Sequence, residues 1–105
     1  MHKIFTKGPY VIFTQTNESG ESFHVHLSRS SPSASNIKIW ILRDGSTEIQ
    51  KNPDYRIIPE RDLQEICKQI SRYSSEIGLL WVSIHKFLKS KDSKDDPESK
   101  TSLFN

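Results

Sequence analysis

The sequence predicts an α+β domain in which an antiparallel sheet of three or four strands is packed by one long C-terminal helix. Three observations carry that expectation. Between residues 10 and 49 the apolar side chains fall in short runs rich in β-branched and aromatic types, the residues that suit a pleated surface. After Pro59 they recur at spacings of three and four, the mark of one helical face. A chain of 105 residues, 33% hydrophobic and 27% charged, has room for one modest core.

Tyr10-Val11-Ile12-Phe13-Thr14 is the first expected strand, followed by a turn at Asn17-Glu18-Ser19-Gly20. Phe23-His24-Val25-His26-Leu27 alternates strictly, which puts Phe23, Val25 and Leu27 on one face and His24 and His26 together on the other, expected to face solvent. Ser28 to Asn36, serine-rich and containing Pro32, reads as a loop. Ile37 to Leu42 is the next strand, Asp44-Gly45 a hairpin turn, and Thr47-Glu48-Ile49 a short return strand.

Pro59, with Glu60 and Asp62 behind it, opens the helical half. Leu63, Ile66, Ile70, Tyr73, Ile77, Leu80 or Trp81, Ile84 and Phe87 form its stripe. Unbroken from 59 to 88, the helix would be about 45 Å long at 1.5 Å per residue. The alternatives are one long helix partly committed to a partner, or a main helix over 59–77 that bends near Ser75 to Gly78 and continues to about 88. Residues 1–88 make the domain. From Lys89 the chain is polar, four lysines balancing four acids, and reads as a mobile charged tail over 89–105; Leu103 and Phe104 are a candidate docking element within it.

Composition excludes several classes. No apolar stretch approaches the roughly 18–20 residues that span a bilayer, and the N-terminus has no apolar run of the secretory type. The single cysteine, Cys67, allows no internal disulfide and fits a reducing, cytoplasmic setting, where it is expected as a packed thiol. The four glycines are scattered, so no phosphate-cradling loop or dinucleotide fingerprint exists and no cofactor is expected. No strand–elbow–helix motif accompanies the serines of the loop. His85 is expected near a helix C-terminus, where the dipole favours its charged form. A formal charge of +2 exerts no strong pull toward nucleic acid.

His24-Val25-His26 is the most specific local feature. Residues i and i+2 on a strand point the same way, about 6.5–7 Å apart along the backbone, so both imidazoles can act on one object. Two histidines are too few for a zinc site by themselves. A third ligand would have to come from His2, His85, Asp44 or Glu48, and the spacing selects none, so no metal is assigned. As an acid–base pair they suit metal-independent cleavage of RNA, with Lys38 or Arg29 stabilising phosphate charge. If Lys38 and Trp40 share the histidine face, they add a cation and a stacking platform. The ordinary reading is a pair of polar side chains making cross-strand contacts.

The order of features resembles a family of small prokaryotic and viral domains of unknown function, the forty-one-sixty family, marked by an HVH motif, a strand pair and a helix. The matching pieces are Ser22-Phe23-His24-Val25-His26-Leu27, Ile37 to Ile41, and Ile58-Pro59-Glu60-Arg61-Asp62-Leu63, with a looser match at Ile77-Gly78-Leu79-Leu80-Trp81. They lie within about residues 9 to 86. The family's Pro-Pro-His approach is replaced here by Ser19-Gly20-Glu21-Ser22, and the serine-rich loop and the tail are extra. Members look like halves of two-gene, toxin–antitoxin-like modules, which implies a phage-defence or stress setting.

The leading expectation is a binding module engaging a neighbour-encoded protein partner through His24, His26, Arg29, Lys38 and Trp40 or through the helix. The alternative is an endoribonuclease toxin with His24 and His26 as catalytic residues. Binding of RNA without catalysis is a third, and a homodimer is compatible with all of them.

Overall fold

The computed structural model describes residues 2–15, 20–29, 37–50 and 58–92. Five strands form one antiparallel sheet in sequential order: β1 (His2–Lys7), β2 (Tyr10–Thr14), β3 (His24–Arg29), β4 (Ile37–Ile41) and β5 (Thr47–Ile49). Two helices follow, α1 (Glu60–Arg72) and α2 (Ser74–His85). The expected α+β class holds, with two corrections. The sheet has five strands rather than three or four, and the helical half is two helices rather than one.

The additional strand, β1, is joined to β2 through Gly8-Pro9, with Lys7 opposite Tyr10. Gly8 has φ +59°. Pro9 cannot adopt a positive φ, which leaves the II′ geometry that matches strand twist in two-residue hairpins. β1 carries only two large apolar residues, Ile4 and Phe5, and the register slips between Lys3 and Phe5. A bulge of this kind offsets the alternation that marks a strand.

One face of the sheet presents Tyr10, Ile12, Val25, Leu27, Ile37, Ile39 and Ile41. These close against Leu63, Ile66 and Ile70 of α1 and Ile77 and Trp81 of α2 in a single core. Fully burying an aliphatic side chain of this size contributes about 1.5–3 kcal/mol, so the face and α1 hold each other in place. The Tyr10 hydroxyl donates to Asp62 Oδ2 at 2.6 Å and fixes the first turn of α1 over β2.

The helical stripe breaks at Tyr73 (φ −108°, ψ 23°), not at Gly78, which lies inside α2. Strands of five or six residues cover about 17–20 Å, so a straight 45 Å helix would overhang the sheet. The break lets α2 cap the end of the sheet instead: Trp81 meets Phe23 (ring centroids 5.5 Å) and His24 (5.2 Å), and His85 Nε2 lies 3.3 Å from Thr14 Oγ1. Lys86, at φ 77°, ends α2 with its N–H on the Val82 carbonyl.

Beyond α2 the chain returns along the sheet. The Phe23 N–H donates to the Lys89 carbonyl at 2.8 Å, Ser90 is buried, Lys91 pairs with Glu48, and the Arg43 N–H donates to Asp92 Oδ1 at 3.0 Å. The first four residues of the segment expected as a tail therefore rest on the domain. Residues 93–105, with Leu103 and Phe104, lie outside the described residues. So do Asn17–Ser19 of the expected turn and 30–36 of the serine-rich loop.

Candidate functional site: a buried histidine pair

β3 is central in the sheet, and its strict alternation places His24 and His26 on one face, as expected. That face is not open to solvent. His24 is 0% exposed and His26 5%, and Val11, Phe13 and Ser28 on the same face are also buried. β2 explains this locally. Tyr10-Val11-Ile12-Phe13 is apolar without alternation, so the strand beside the histidines is one that buries both sides.

The two rings meet edge to face, with Nε2 of His24 3.3 Å from Nε2 of His26. Tautomers follow from the other partner. His24 Nδ1 lies 2.7 Å from the Ser22 carbonyl oxygen, which can only accept, so Nδ1 carries a proton. In neutral His24 the Nε2 is then an acceptor, and His26 Nε2–H donates to it. Packing fixes the rings: Phe13 stacks on His26 (centroids 5.3 Å, 26°), while Trp40 and Trp81 stand edge-on to His24 at 5.4 and 5.2 Å.

Lys38 and Trp40 do share the histidine face, opposite His26 and His24 respectively in the β3–β4 register. Their functional groups are engaged within the molecule. Lys38 Nζ donates to Glu21 Oε1 at 3.0 Å and lies 4.9 Å from the Trp40 ring centroid. Lys91 Nζ lies 5.2 Å from the same ring while pairing with Glu48. Each such contact is worth about 0.5–1 kcal/mol at an exposed site. A base seeking to stack on Trp40 would compete with both ammonium groups. Arg29 is not part of this site. It is exposed at the end of β3, opposite Tyr10, on the face of Val25 and Leu27.

Three residues the sequence reading left out of the site belong to it. Glu21 Oε1 lies 3.9 Å from His24 Nε2 and accepts from Lys38 Nζ at 3.0 Å. Trp81 closes the His24 side, and Lys91 covers Trp40. Glu21 lies three residues before His24 in an irregular segment, so no periodicity points to it. Trp81 was legible only as one of several apolar residues in Leu79-Leu80-Trp81-Val82.

Cys67, on α1, is partly buried, and burial pushes its thiol up from the ordinary cysteine range. That is the packed thiol the sequence suggested. Among the described residues, no group of three or more histidine, cysteine, aspartate or glutamate side chains is disposed to hold a metal ion, and the structure selects none of His2, His85, Asp44 and Glu48 as a third ligand. Among the described residues no helix is long and apolar enough to cross a membrane. No family model, no curated protein and no solved structure matches the chain.

Proposed function

We propose that the chain is a small interaction module, one half of a toxin–antitoxin-like or phage-defence pair, and that it binds its protein partner through the outer face of α2. The observation that carries this reading is the apolar surface left uncovered by α2 and by the two residues that follow Lys86. Leu79 is 74% exposed, and Val82, Phe87 and Leu88 are each more than one-third exposed. Ile77, Leu79, Leu80, Trp81, Val82 and Ile84 give the helix more apolar surface than its sheet-facing side can bury. Beside this surface runs a groove of about 480 Å³ lined by Ile41, Leu42, Gly78, Leu79, Val82 and Leu88. Contiguous exposed apolar surface is the usual sign of a protein contact.

The two-gene setting rests on the sequence resemblance of the Ser22–Leu27 segment and the elements after it to the forty-one-sixty family alone, since no family model matches the chain. The endoribonuclease reading loses its footing in the burial of His24 and His26. A general acid and a general base must both reach the substrate's reacting oxygens. Here the two Nε2 atoms are directed at each other.

Co-expression with the neighbour-encoded protein, followed by light scattering on the purified material, tests the reading. A stable complex is expected with the wild type, and Leu79→Glu and Val82→Glu should break it without altering the far-UV spectrum, because both side chains are exposed. Absence of a complex, or a complex indifferent to both substitutions, overturns it. A homodimer that Leu79→Glu disrupts would make a second copy the partner. Growth arrest on expression that His24→Gln relieves would put the ribonuclease alternative ahead of the binding module.

A further inference from the structure

We propose that residues 88–92, which return along the sheet after α2, are a displaceable occupant of the groove beside α2. The partner's contact there is an extended segment of the same chemistry: an aliphatic side chain, a small polar one and an acid, each two residues apart. The inference rests on the partner-binding reading of the α2 surface and adds what the partner presents to it.

Lys86 ends α2 at φ 77°, a conformation uncommon outside glycine, and the chain turns back. From there alternate residues meet the domain. Leu88 packs on Gly78 and lines the groove, Ser90 is buried and lines it too, and Asp92 Oδ1 accepts from the Arg43 N–H at 3.0 Å. Phe87, Lys89 and Lys91, between them, are exposed. A two-residue period is that of an extended strand. The Lys89 carbonyl accepts from the Phe23 N–H at 2.8 Å, the kind of main-chain bond by which an added strand is held.

The occupant fills its place incompletely. Leu88 is 39% exposed although it lies over a glycine, and a groove of about 480 Å³ stays open beside it. Lys91 pairs with Glu48 at the surface, where an ion pair contributes little. A segment with so few buried contacts opens separately from the core. A partner segment that buries its aliphatic side chain fully and accepts from the Phe23 N–H gains apolar burial that Leu88 leaves unmade. Arg43, which lines the groove at the end where Asp92 binds, favours an acid there.

Amide hydrogen exchange of the full chain tests the displacement. The Phe23 and Arg43 amides are expected to exchange together, at least about tenfold faster than those of Ile41 and Ile77. The latter two donate to the Phe23 and Tyr73 carbonyls, outside the returning segment. Leu88→Ser should speed exchange at Phe23 and Arg43 and leave Ile41 and Ile77 unchanged. The partner chemistry is tested with the peptide acetyl-Phe-Leu-Lys-Ser-Lys-Asp-amide, the sequence of residues 87–92. It is added to the Leu88→Ser chain at a few millimolar, the effective concentration of a short tether. It should shift the Phe23, Arg43 and Gly78 amides in ¹H–¹⁵N spectra and slow exchange at Phe23 and Arg43, and the same peptide with serine for leucine should do neither. If Leu88→Ser fails to fold, the wild-type exchange rates decide alone. Phe23 and Arg43 amides that exchange only with the core overturn the displacement. A peptide that shifts nothing, or that acts equally without its leucine, overturns the partner chemistry. A complex that Leu79→Glu breaks, found together with either of these results, would keep the α2 reading and remove this one.

Discussion

Gly78 and Leu88 are packed so closely that a Cβ on the glycine would lie 3.3 Å from Leu88 Cδ1, with the Phe23 ring at an ordinary 3.8 Å. Glycine costs about 1 kcal/mol in a helix interior relative to alanine. The crowding atom ends a flexible side chain that is 39% exposed, so it has room to give the few tenths of an ångström required. Gly78→Ala is therefore expected to stabilise the domain by up to about 1 kcal/mol, read as a raised midpoint in thermal unfolding. A lowered midpoint would mean that Leu88 is held by the returning segment and cannot move.

The Tyr10–Asp62 hydrogen bond ties β2 to α1 and raises the Tyr10 phenol above its ordinary value, with burial adding to the effect. The folded state thus prefers the neutral phenol more strongly than the unfolded chain does. Its contribution is fully present below the ordinary tyrosine value near 10 and is lost as pH rises through the raised one. Tyr10→Phe should cost about 1 kcal/mol at neutral pH. Its stability should also fall less steeply than the wild type's between about pH 9 and about pH 11. Urea midpoints from neutral pH to about pH 11 check both statements; parallel profiles would show that the phenol's titration is not linked to folding, and coincident ones that the bond contributes nothing.

Gly45 turns the β4–β5 hairpin at φ +88°, and a Cβ there would lie 2.9 Å from Ser74 Oγ. Asp44 Oδ1 accepts from the Ser46 N–H at 2.9 Å and from its hydroxyl at 2.6 Å. These bonds, the hydroxyl's foremost, hold the Asp44 carboxyl below its ordinary range. Gly45→Ala should destabilise by about 1–2 kcal/mol, combining backbone strain with the clash. Adding Ser74→Ala should recover only part of that loss, because it relieves the contact and not the φ. Full recovery in the double variant, measured by chemical denaturation, would show that the turn is not strained.

Much of the fold was legible in local chemistry. β2 and β5 fall where their β-branched and aromatic runs lie, the Asp44-Gly45 turn is where its sequence puts it, and α1 begins one residue after Pro59. The break in the helical stripe was anticipated but at the wrong place. Glycine drew attention to position 78, whereas the chain turns at Tyr73 because α2 must reach the end of a short sheet. Gly78 serves packing against Leu88 and Phe23. β1 is not legible by pattern because its bulge and its charged residues obscure any alternation, although Gly8-Pro9 before the Tyr10 run carries the signal of a hairpin.

The sequence by itself determined that His24 and His26 share one face of β3 and that Lys38 and Trp40 share one face of β4, since alternation is a property of the backbone; the register that makes these a single face came with the structure. Whether that face meets water is not a local property. It depends on what is laid over it, and here Trp81 comes from more than fifty residues away, with Lys91 further still. Only the tertiary structure decided that the histidines are buried, that they bond to each other, and that the exposed apolar surface lies on α2 and the residues just after it.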